Sequence, residues 1–228
     1  MAGPVGNDYL AGQISTIVTP MTFVSGAQNT TITTGGADAE SDPDFADRIR
    51  LAPNSFSVAG PEKAYVYHAK SVSPAIIDVK VNSPTPGEVD VYVLLTDGTL
   101  PTEDTLEQIE EHLSDENIRP LTDYVVVKAP TASNYEIELH YWISQEDSSK
   151  AAQIQADVEA AVEQYRLWQQ TKIGRDITPG KLLQLVFAAG ASRVDDSKMK
   201  PAAWKKLEAM QVAQCTKVSV VYEGYKDE

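Results

Sequence analysis

The sequence predicts an α+β fold: two small units, each an antiparallel or mixed sheet covered by helices, preceded by an extended N-terminal segment. Three observations predict it. Apolar residues alternate with a period of two in some segments, recur every three or four residues in others, and each half of the chain mixes two helices with three or more strands. With 228 residues, 42% of them hydrophobic, the chain is long enough to bury a core. A ferredoxin-like arrangement is one candidate for each unit.

The N-terminal segment, residues 1–40, is rich in Gly, Ser, Thr and Asn. It contains short β-prone runs at residues 13–18 and 30–34, but no long apolar period. This composition predicts an extended or loop-like chain that a structure outside the segment completes.

The first unit, residues 41–131, has the predicted order α-β-β-α-β after a short leading helix. The helices are predicted at residues 43–51, 61–71 and 102–114, and the strands at residues 76–82, 88–95 and 124–129. The turn-forming stretch SPTPG separates the first two strands, so they form an antiparallel pair. Thr102 is a suitable cap for the third helix, which places Leu106, Ile109 and Leu113 on one face.

The second unit, residues 132–228, follows a boundary at residues 130–134 and has the predicted order β-α-α-β-β. Its elements are a strand at 135–143, a helix at 150–169, a helix from Pro179 closed by Gly190, and strands at 192–195 and 213–222. Thr178 is the expected cap of the second helix. No repeat relates the two units at the level of residues.

Composition excludes several classes of partner. The chain has 33 acidic residues against 19 Lys and Arg, a formal net charge of -14, which repels nucleic acid and anionic lipid. It has no signal-peptide pattern and no run of 18 apolar residues, so export and membrane spanning are not expected. A single cysteine, Cys215, leaves no disulfide framework and fits either a reducing compartment, with the cytoplasm as the default, or indifference to redox.

Alternating acids mark the stretch GGADAESDPDFADRIR, residues 35–50. A calcium loop starting at Asp38 needs Gly at its sixth position and Glu at its twelfth, where this chain has Pro43 and Ile49. A glycine turn followed by a helix capped by Ser41 or Asp42 accounts for every position. We therefore interpret this stretch as a turn and a capped helix.

No other motif specifies an active site. The stretch GRDITPGK, residues 174–181, departs from a phosphate-binding loop in its glycine spacing and in Leu182 after the lysine. The three histidines, His68, His112 and His140, fall on three different elements without metal spacing. Cys215 lies in a strand pattern and is interpreted as a small buried residue. We predict no enzymatic activity, no metal and no cofactor.

One basic and aromatic segment stands out in the acidic chain: SKMKPAAWKKLEAM, residues 197–210. Two interpretations stay open, a protruding contact arm for an acidic partner and a hairpin tip packed on its own unit. The residues that would make the partner contacts are Lys198, Met199, Lys200, Trp204, Lys205 and Lys206.

The order of motifs along the chain resembles a known family. The stretches are GNDYLAGQIS, GGADAESDPDFADRIRLAPNSFSVAGPEKAYVYHAKS, DVKVNSPTPGEVDVYVLLTDG, RPLTDYVVVKAP and IGRDITPGKLLQLVFAAGASRV. Together they resemble the baseplate assembly protein J family of contractile-tailed phages, from about Gly6 through nearly the whole chain. Members of that family normally carry a further N-terminal domain, so the resemblance implies an N-terminally truncated copy.

The resemblance implies a structural wedge component of a phage or prophage tail baseplate, assembled in the bacterial host cytoplasm. Its implied partners are other wedge proteins and copies of itself, and its implied role is in tail assembly and the triggering of contraction through rearranging interfaces. The isolated chain is expected to be a monomer or a weak dimer, with an exposed apolar patch or an unpaired strand edge. The alternative is an α+β protein that binds a small molecule or a divalent cation, or an enzyme.

Overall fold

A computed structural model of the chain describes residues 4–34, 36, 38–56, 62–115 and 118–226. The helices are α1 (Asp42–Leu51), α2 (Glu62–Val72), α3 (Glu103–Leu113), α4 (Ala151–Gln170) and α5 (Pro179–Ala188). The strands are β1 (Ile76–Asn82), β2 (Glu88–Leu95), β3 (Tyr124–Lys128), β4 (Thr131–Ile143), β5 (Arg193–Val194) and β6 (Gln211–Tyr225). These helices and small mixed sheets confirm the predicted α+β class.

The first sheet has the order β1-β2-β3, with β1 antiparallel and β3 parallel to the central β2. The helix α3 connects the two parallel strands, and α2 packs beside it on the same face of the sheet. Val91 and Val93 of β2 are fully buried beneath these helices, together with Ile109 and Leu113 of α3. The observed order α-β-β-α-β is the one that the sequence predicts.

The second sheet has the order β5-β4-β6, with β5 antiparallel and β6 parallel to the central β4. Period-two alternation along β4 places Ile137, Leu139 and Tyr141 in the core against α4 and α5. Burial raises the pKa of the Tyr141 phenol to about 12. The strand β6 lies at one edge of this sheet and hydrogen-bonds to β4.

Neither sheet is ferredoxin-like. That arrangement follows the order β-α-β-β-α-β, whereas the units here follow α-β-β-α-β and β-α-α-β-β in three-stranded sheets. The helix that links two parallel strands in the first unit is replaced in the second by two helices and the short β5. The division of the chain at residues 1–40, 41–131 and 132–228 stays a prediction.

Helix starts follow the predicted capping chemistry at two of three positions. The Ser41 hydroxyl accepts a hydrogen bond from the backbone N–H of Asp44, and the Thr102 hydroxyl accepts one from the N–H of Thr105. Thr178 lies at the predicted N-cap position of α5, but its hydroxyl makes no cap hydrogen bond and instead donates to the carbonyl oxygen of Asp176 at 3.2 Å. The proposed glycine turn before α1 includes Gly35, and the expected start of α2 includes Gly60 and Pro61, all outside the described residues.

The strands β4 and β6 run longer than their alternation suggests. Both gain residues at their N-terminal ends, where Thr131 pairs with Gln211. The Thr131 N–H also donates to the carbonyl oxygen of Met210 at 3.0 Å. Residues 131–134 carry mostly polar side chains, so apolar alternation does not indicate this extension. Within the described residues, no helix combines the length and apolar character needed to cross a membrane.

Candidate interaction surfaces

The two sheets meet in a small apolar junction. Leu94 of β2 and Val212 of β6 are fully buried against Ile173, which lies in the loop after α4. The partly buried side chains of Ile77, Tyr92 and Leu100 pack around this group. The junction therefore joins residues from both sheets in one apolar contact.

A buried carboxylate crosses the same junction. Asp78 of β1 is almost fully buried and accepts hydrogen bonds from the backbone N–H of Ile173 and the Nζ atom of Lys172, both at 2.8 Å. The Lys172 side chain remains about half exposed, so water still solvates part of the ammonium group. The carboxylate therefore satisfies a buried N–H of the second unit and orients the loop after α4.

Backbone contact at Gly98 completes the junction. Gly98 has φ +74°, and a Cβ atom at this position would lie 2.5 Å from the carbonyl oxygen of Gln170. The Gln170 side-chain amide donates to the carbonyl oxygen of Asp97, and the Gln214 amide donates to that of Gly98 at 2.7 Å. Only glycine permits both this conformation and this close approach.

The basic segment, residues 197–210, packs along its own unit through its backbone. Lys200 exchanges two backbone hydrogen bonds with Glu138 of β4, and Lys205 exchanges two with Ile177. The Leu207 N–H donates to the Asp176 carboxylate at 2.9 Å. These contacts favour the interpretation as a packed segment over that of a protruding arm, although its outward side chains remain available for contacts.

The predicted contact residues divide into three kinds of environment. Met199 is buried in the core of the second unit. Lys200 contacts Glu136 at 2.8 Å and Glu138 at 3.2 Å, and its ammonium lowers the pKa of both carboxyls. The remaining side chains are exposed: Lys198 near Asp195 and Glu223, Lys205 donating to Ser133, Trp204 and Lys206. Trp204 and Lys206 are therefore available to a partner.

The N-terminal arm, residues 4–34, forms a loop closed by a few backbone hydrogen bonds. Thr33 bonds to Asp8 and Tyr9, and Asn29 bonds to Gly12 and Ile14. The arm contains no described β-strand, and its one charged residue is Asp8. Its exposed large apolar residues are Val5, Leu10, Ile14, Val18, Met21, Phe23, Val24 and Ile32.

The tip of this arm, residues 18–23, exposes its large apolar side chains. Phe23 is fully exposed and has φ +71°, a conformation that costs a bulky residue about 1–2 kcal/mol. Val18 and Met21 are 90% and 68% exposed. Exposed apolar groups on one contiguous segment mark an interaction site more often than scattered ones do.

The residues considered for metal or nucleophilic chemistry have other contacts. Glu40 forms a bidentate ion pair with Arg48, at 2.8 to 3.2 Å, that lowers the pKa of the carboxyl. His140 contacts Glu223 at 2.6 Å. Burial raises the pKa of the Cys215 thiol, which keeps it protonated and disfavours a nucleophilic role. Across the described residues, no group of three or more His, Cys, Asp and Glu side chains is placed to hold a metal.

Comparison with known proteins identifies the family. The model of the baseplate J-like central domain matches residues 57–129, and that of the baseplate J-like protein C-terminal domain matches residues 135–221. The chain belongs to the baseplate J-like family. Baseplate protein J of Escherichia phage P2 is 31% identical over 202 residues, which cover 88% of this chain and 65% of that protein. This baseplate J-like chain thus spans slightly less than two thirds of its curated relative.

Among solved structures, a chain of the sixfold-symmetrised cryo-EM baseplate of the anti-feeding prophage is similar to the baseplate J-like chain. The TM-score is 0.49 at 14% identity, and the match covers 87% of this chain and 47% of the other. The relationship to baseplate protein J confirms the resemblance seen in the sequence. A small-molecule or cation-binding protein, or an enzyme, is not favoured by it.

Sequence reasoning missed the junction residues. Asp78 and Gly98 lie in the first unit, but their contacts belong to the second. The available signal was an acid between the apolar residues of IIDVKVN, since a charged residue inside a buried strand requires a partner. That signal identifies Asp78 as unusual but does not identify Ile173 as the group it contacts.

Proposed function

We propose that this baseplate J-like chain is a structural component of a phage or prophage contractile-tail baseplate. It acts through protein interfaces in tail assembly and in the triggering of contraction, and it has no catalytic role. Its partners are other baseplate wedge proteins and copies of itself, rather than nucleic acid or membrane. It is assembled in the bacterial host cytoplasm and resides in the virion tail baseplate.

The exposed apolar tip of the N-terminal arm carries this proposal. Val18, Met21 and Phe23 are each at least two thirds exposed, and the arm around them has almost no charge. Such a surface is unfavourable in water and becomes favourable when an apolar partner covers it, at about 25 cal/mol per Å² of apolar area. The arm therefore suits a permanent assembly contact.

The junction between the sheets supports the mechanical part of the proposal. A component that passes a rearrangement from one neighbour to another must move as a unit. Asp78 and Gly98 place buried polar and backbone contacts between the sheets, where packed interfaces resist gradual deformation. A displacement applied to the first sheet is then transmitted to the second.

The basic segment provides a second surface for partners. Trp204 is 59% exposed, and Lys206 lies two residues away on the outside of the same segment. Tryptophan is among the residues that most often dominate interface energetics, and lysine attracts acidic partners. We assign the contacts of this segment to an acidic neighbour in the wedge.

Co-purification with the proteins encoded beside this chain in its tail gene cluster tests the proposal. A tagged chain should retain at least one baseplate protein, and a triple variant, Val18→Ser, Met21→Ser and Phe23→Ser, should retain at least tenfold less. This loss follows from burying three large apolar side chains, each contributing about 1.5–3 kcal/mol. Stability should change little, because the three side chains are exposed in the isolated chain.

Leu121→Ser is the matched control, since Leu121 is 94% exposed and lies outside the arm. It should co-purify like the unaltered chain. Capture of no baseplate protein by the unaltered chain would contradict the proposed function. Equal capture by the triple variant would remove the arm from the binding surface.

A further inference from the structure

The longest strand among the described residues, β6, lies at an edge of its sheet. The strand β6 extends over residues 211–225 and is hydrogen-bonded to β4 on one side. No other strand among the described residues pairs with its outer side. Residues 217–222 are regular, because the register shifts at Tyr135/Glu136 and at Tyr141/Ile143 fall on either side of them. An unpaired regular edge of this length is a template for another strand.

Both faces of this edge are suited to pairing. Val218, Val220 and Tyr222 lie opposite Ile137, Leu139 and Tyr141 of β4 and so share the face that the helices cover. These three side chains are more exposed than their partners on β4, and Val218 is 46% exposed. On the opposite face, Lys217, Ser219 and Val221 lie beside Glu136, Glu138 and His140. A neighbouring strand would therefore extend both the apolar row and the polar row.

A lysine on an edge strand usually prevents pairing, because its charge would be placed against the incoming strand. Lys217 has this position. Glu223, the first residue beyond the regular stretch, lies six residues further along, and its carboxylate contacts His140 at 2.6 Å and Lys198 at 3.8 Å. In an antiparallel pair with a two-fold axis at Val220, each residue lies opposite the residue that is equally far from Val220 in the other direction on the second strand. It sets Lys217 against Glu223 of the other strand twice, and Val218 against Tyr222 twice. Shifting the axis to Ser219 or Val221 loses both charge pairs.

We propose that β6 pairs with β6 of a second copy of this chain, antiparallel and centred on Val220. The product is a continuous six-stranded sheet in the order β5-β4-β6-β6-β4-β5. Charge complementarity selects the second copy as the occupant, since the same strand supplies both the lysine and the glutamate. The proposal rests on the proposed function only in naming a copy of the chain as a partner.

The contact should be weak in the isolated chain. Pairing of about seven residues along one edge covers less than the roughly 1,000 Å² expected of a stable interface. We expect a reversible dimer with a dissociation constant in the micromolar range or weaker, strengthened when other contacts hold two copies together. This agrees with the expectation of a monomer or weak dimer.

Disulfide trapping tests the register. In the proposed dimer, residue 220 faces its own counterpart with Cα atoms about 4.5–5.5 Å apart, within the range that a disulfide spans. Val220→Cys, made in a Cys215→Ser background, should form a covalent dimer under mild oxidation. Val218→Cys is the matched control on the same face. Its counterpart lies four residues away along the strand, about 13 Å, so it should remain monomeric.

Charge exchange tests the pairing independently. Sedimentation velocity over a concentration series should show that Lys217→Glu weakens self-association about tenfold or more. Adding Glu223→Lys to Lys217→Glu should restore the dissociation constant to within about threefold of that of the unaltered chain. Lys150→Glu, at an exposed side chain outside β6 and outside the basic segment, should have no effect. Melting temperatures and circular dichroism of each variant check that the fold is retained.

Three results would overturn the proposal: a chain that stays monomeric throughout the series, equal trapping of both cysteine variants, or a dimer indifferent to Lys217→Glu. A dimer trapped instead by cysteines in the N-terminal arm would assign self-association to another surface. Co-purification with other baseplate proteins is a separate readout, so failure of the dimer and failure of the proposed function are distinguishable.

Discussion

Removing the Asp78 carboxylate should destabilise the protein by about 3 kcal/mol. In Asp78→Ala the Ile173 N–H loses its acceptor inside a buried junction, which costs about 1–3 kcal/mol. The ion pair with Lys172 adds at most about 1 kcal/mol, because that side chain is about half exposed. Asp78→Asn retains an acceptor oxygen and should cost roughly half as much. The proportions among these variants carry more information than any single value.

Urea denaturation followed by circular dichroism and tryptophan fluorescence measures these costs. Lys172→Met isolates the ion pair and should cost less than about 1 kcal/mol. Asp196→Ala, an exposed acid, should be neutral within about 0.5 kcal/mol. If Asp78→Ala cost no more than Lys172→Met, the carboxylate would not be holding the backbone of the second unit. If circular dichroism and tryptophan fluorescence reported two separate transitions for Asp78→Ala, the junction would be the contact that makes the two sheets unfold together in the unaltered chain.

Three further outcomes follow from the same structure. Gly98→Ala should cost about 2–4 kcal/mol by denaturant titration, because a Cβ atom would lie 2.5 Å from the Gln170 carbonyl oxygen at φ +74°; Gly180→Ala, which meets nothing within 4 Å on α5, should instead stabilise by up to about 1 kcal/mol. Gln169→Leu should cost about 2–4 kcal/mol, because the buried amide donates to the carbonyls of Arg175 and Asp176; no loss would mean that water replaces it. Lys200→Met should destabilise the protein slightly at neutral pH and not in acid, because Lys200 lowers the pKa values of Glu136 and Glu138 in the folded state. The stability that Lys200 contributes is present above the unfolded carboxyl pKa of about 4.3, and it disappears as pH falls through the lower folded pKa values. The denaturation midpoint at both pH values measures this difference, and an equal loss at both would contradict it.

Local patterns predicted the elements because local forces determine them. Alternation along β4 reflects one face buried against α4, and the caps at Ser41 and Thr102 satisfy orphan N–H groups of their own helices. Thr178 has the same composition signal, yet its hydroxyl donates to Asp176 instead. The extension of β4 to Thr131 depends on a partner strand about 80 residues away, which no local window contains.

The interaction surfaces were harder to predict because they depend on where the chain brings distant residues. The composition of residues 197–210 identified an unusual segment, but its Met199 is buried and its Lys200 is paired within the second unit. The free edge of β6 depends on strand order, which period-two alternation does not contain. Only the exposed apolar arm follows directly from composition, since a segment with one charge and no long apolar period has little core of its own to join.

Charge distribution explains why self-association and partner binding would use different surfaces. A body with a net charge of -14 repels another copy, and this repulsion favours contacts in which charge is absent or matched. The N-terminal arm meets the first condition with Asp8 as its one charge, and the β6 edge meets the second by placing Lys217 against Glu223. Screening by salt should therefore strengthen contacts opposed by the net charge and weaken those that depend on the matched pairs. In a β6 dimer salt screens both the net repulsion and the matched pairs, so the comparison of Lys217→Glu with the unaltered chain isolates the pairs: the ratio of their dissociation constants should fall toward one as salt rises.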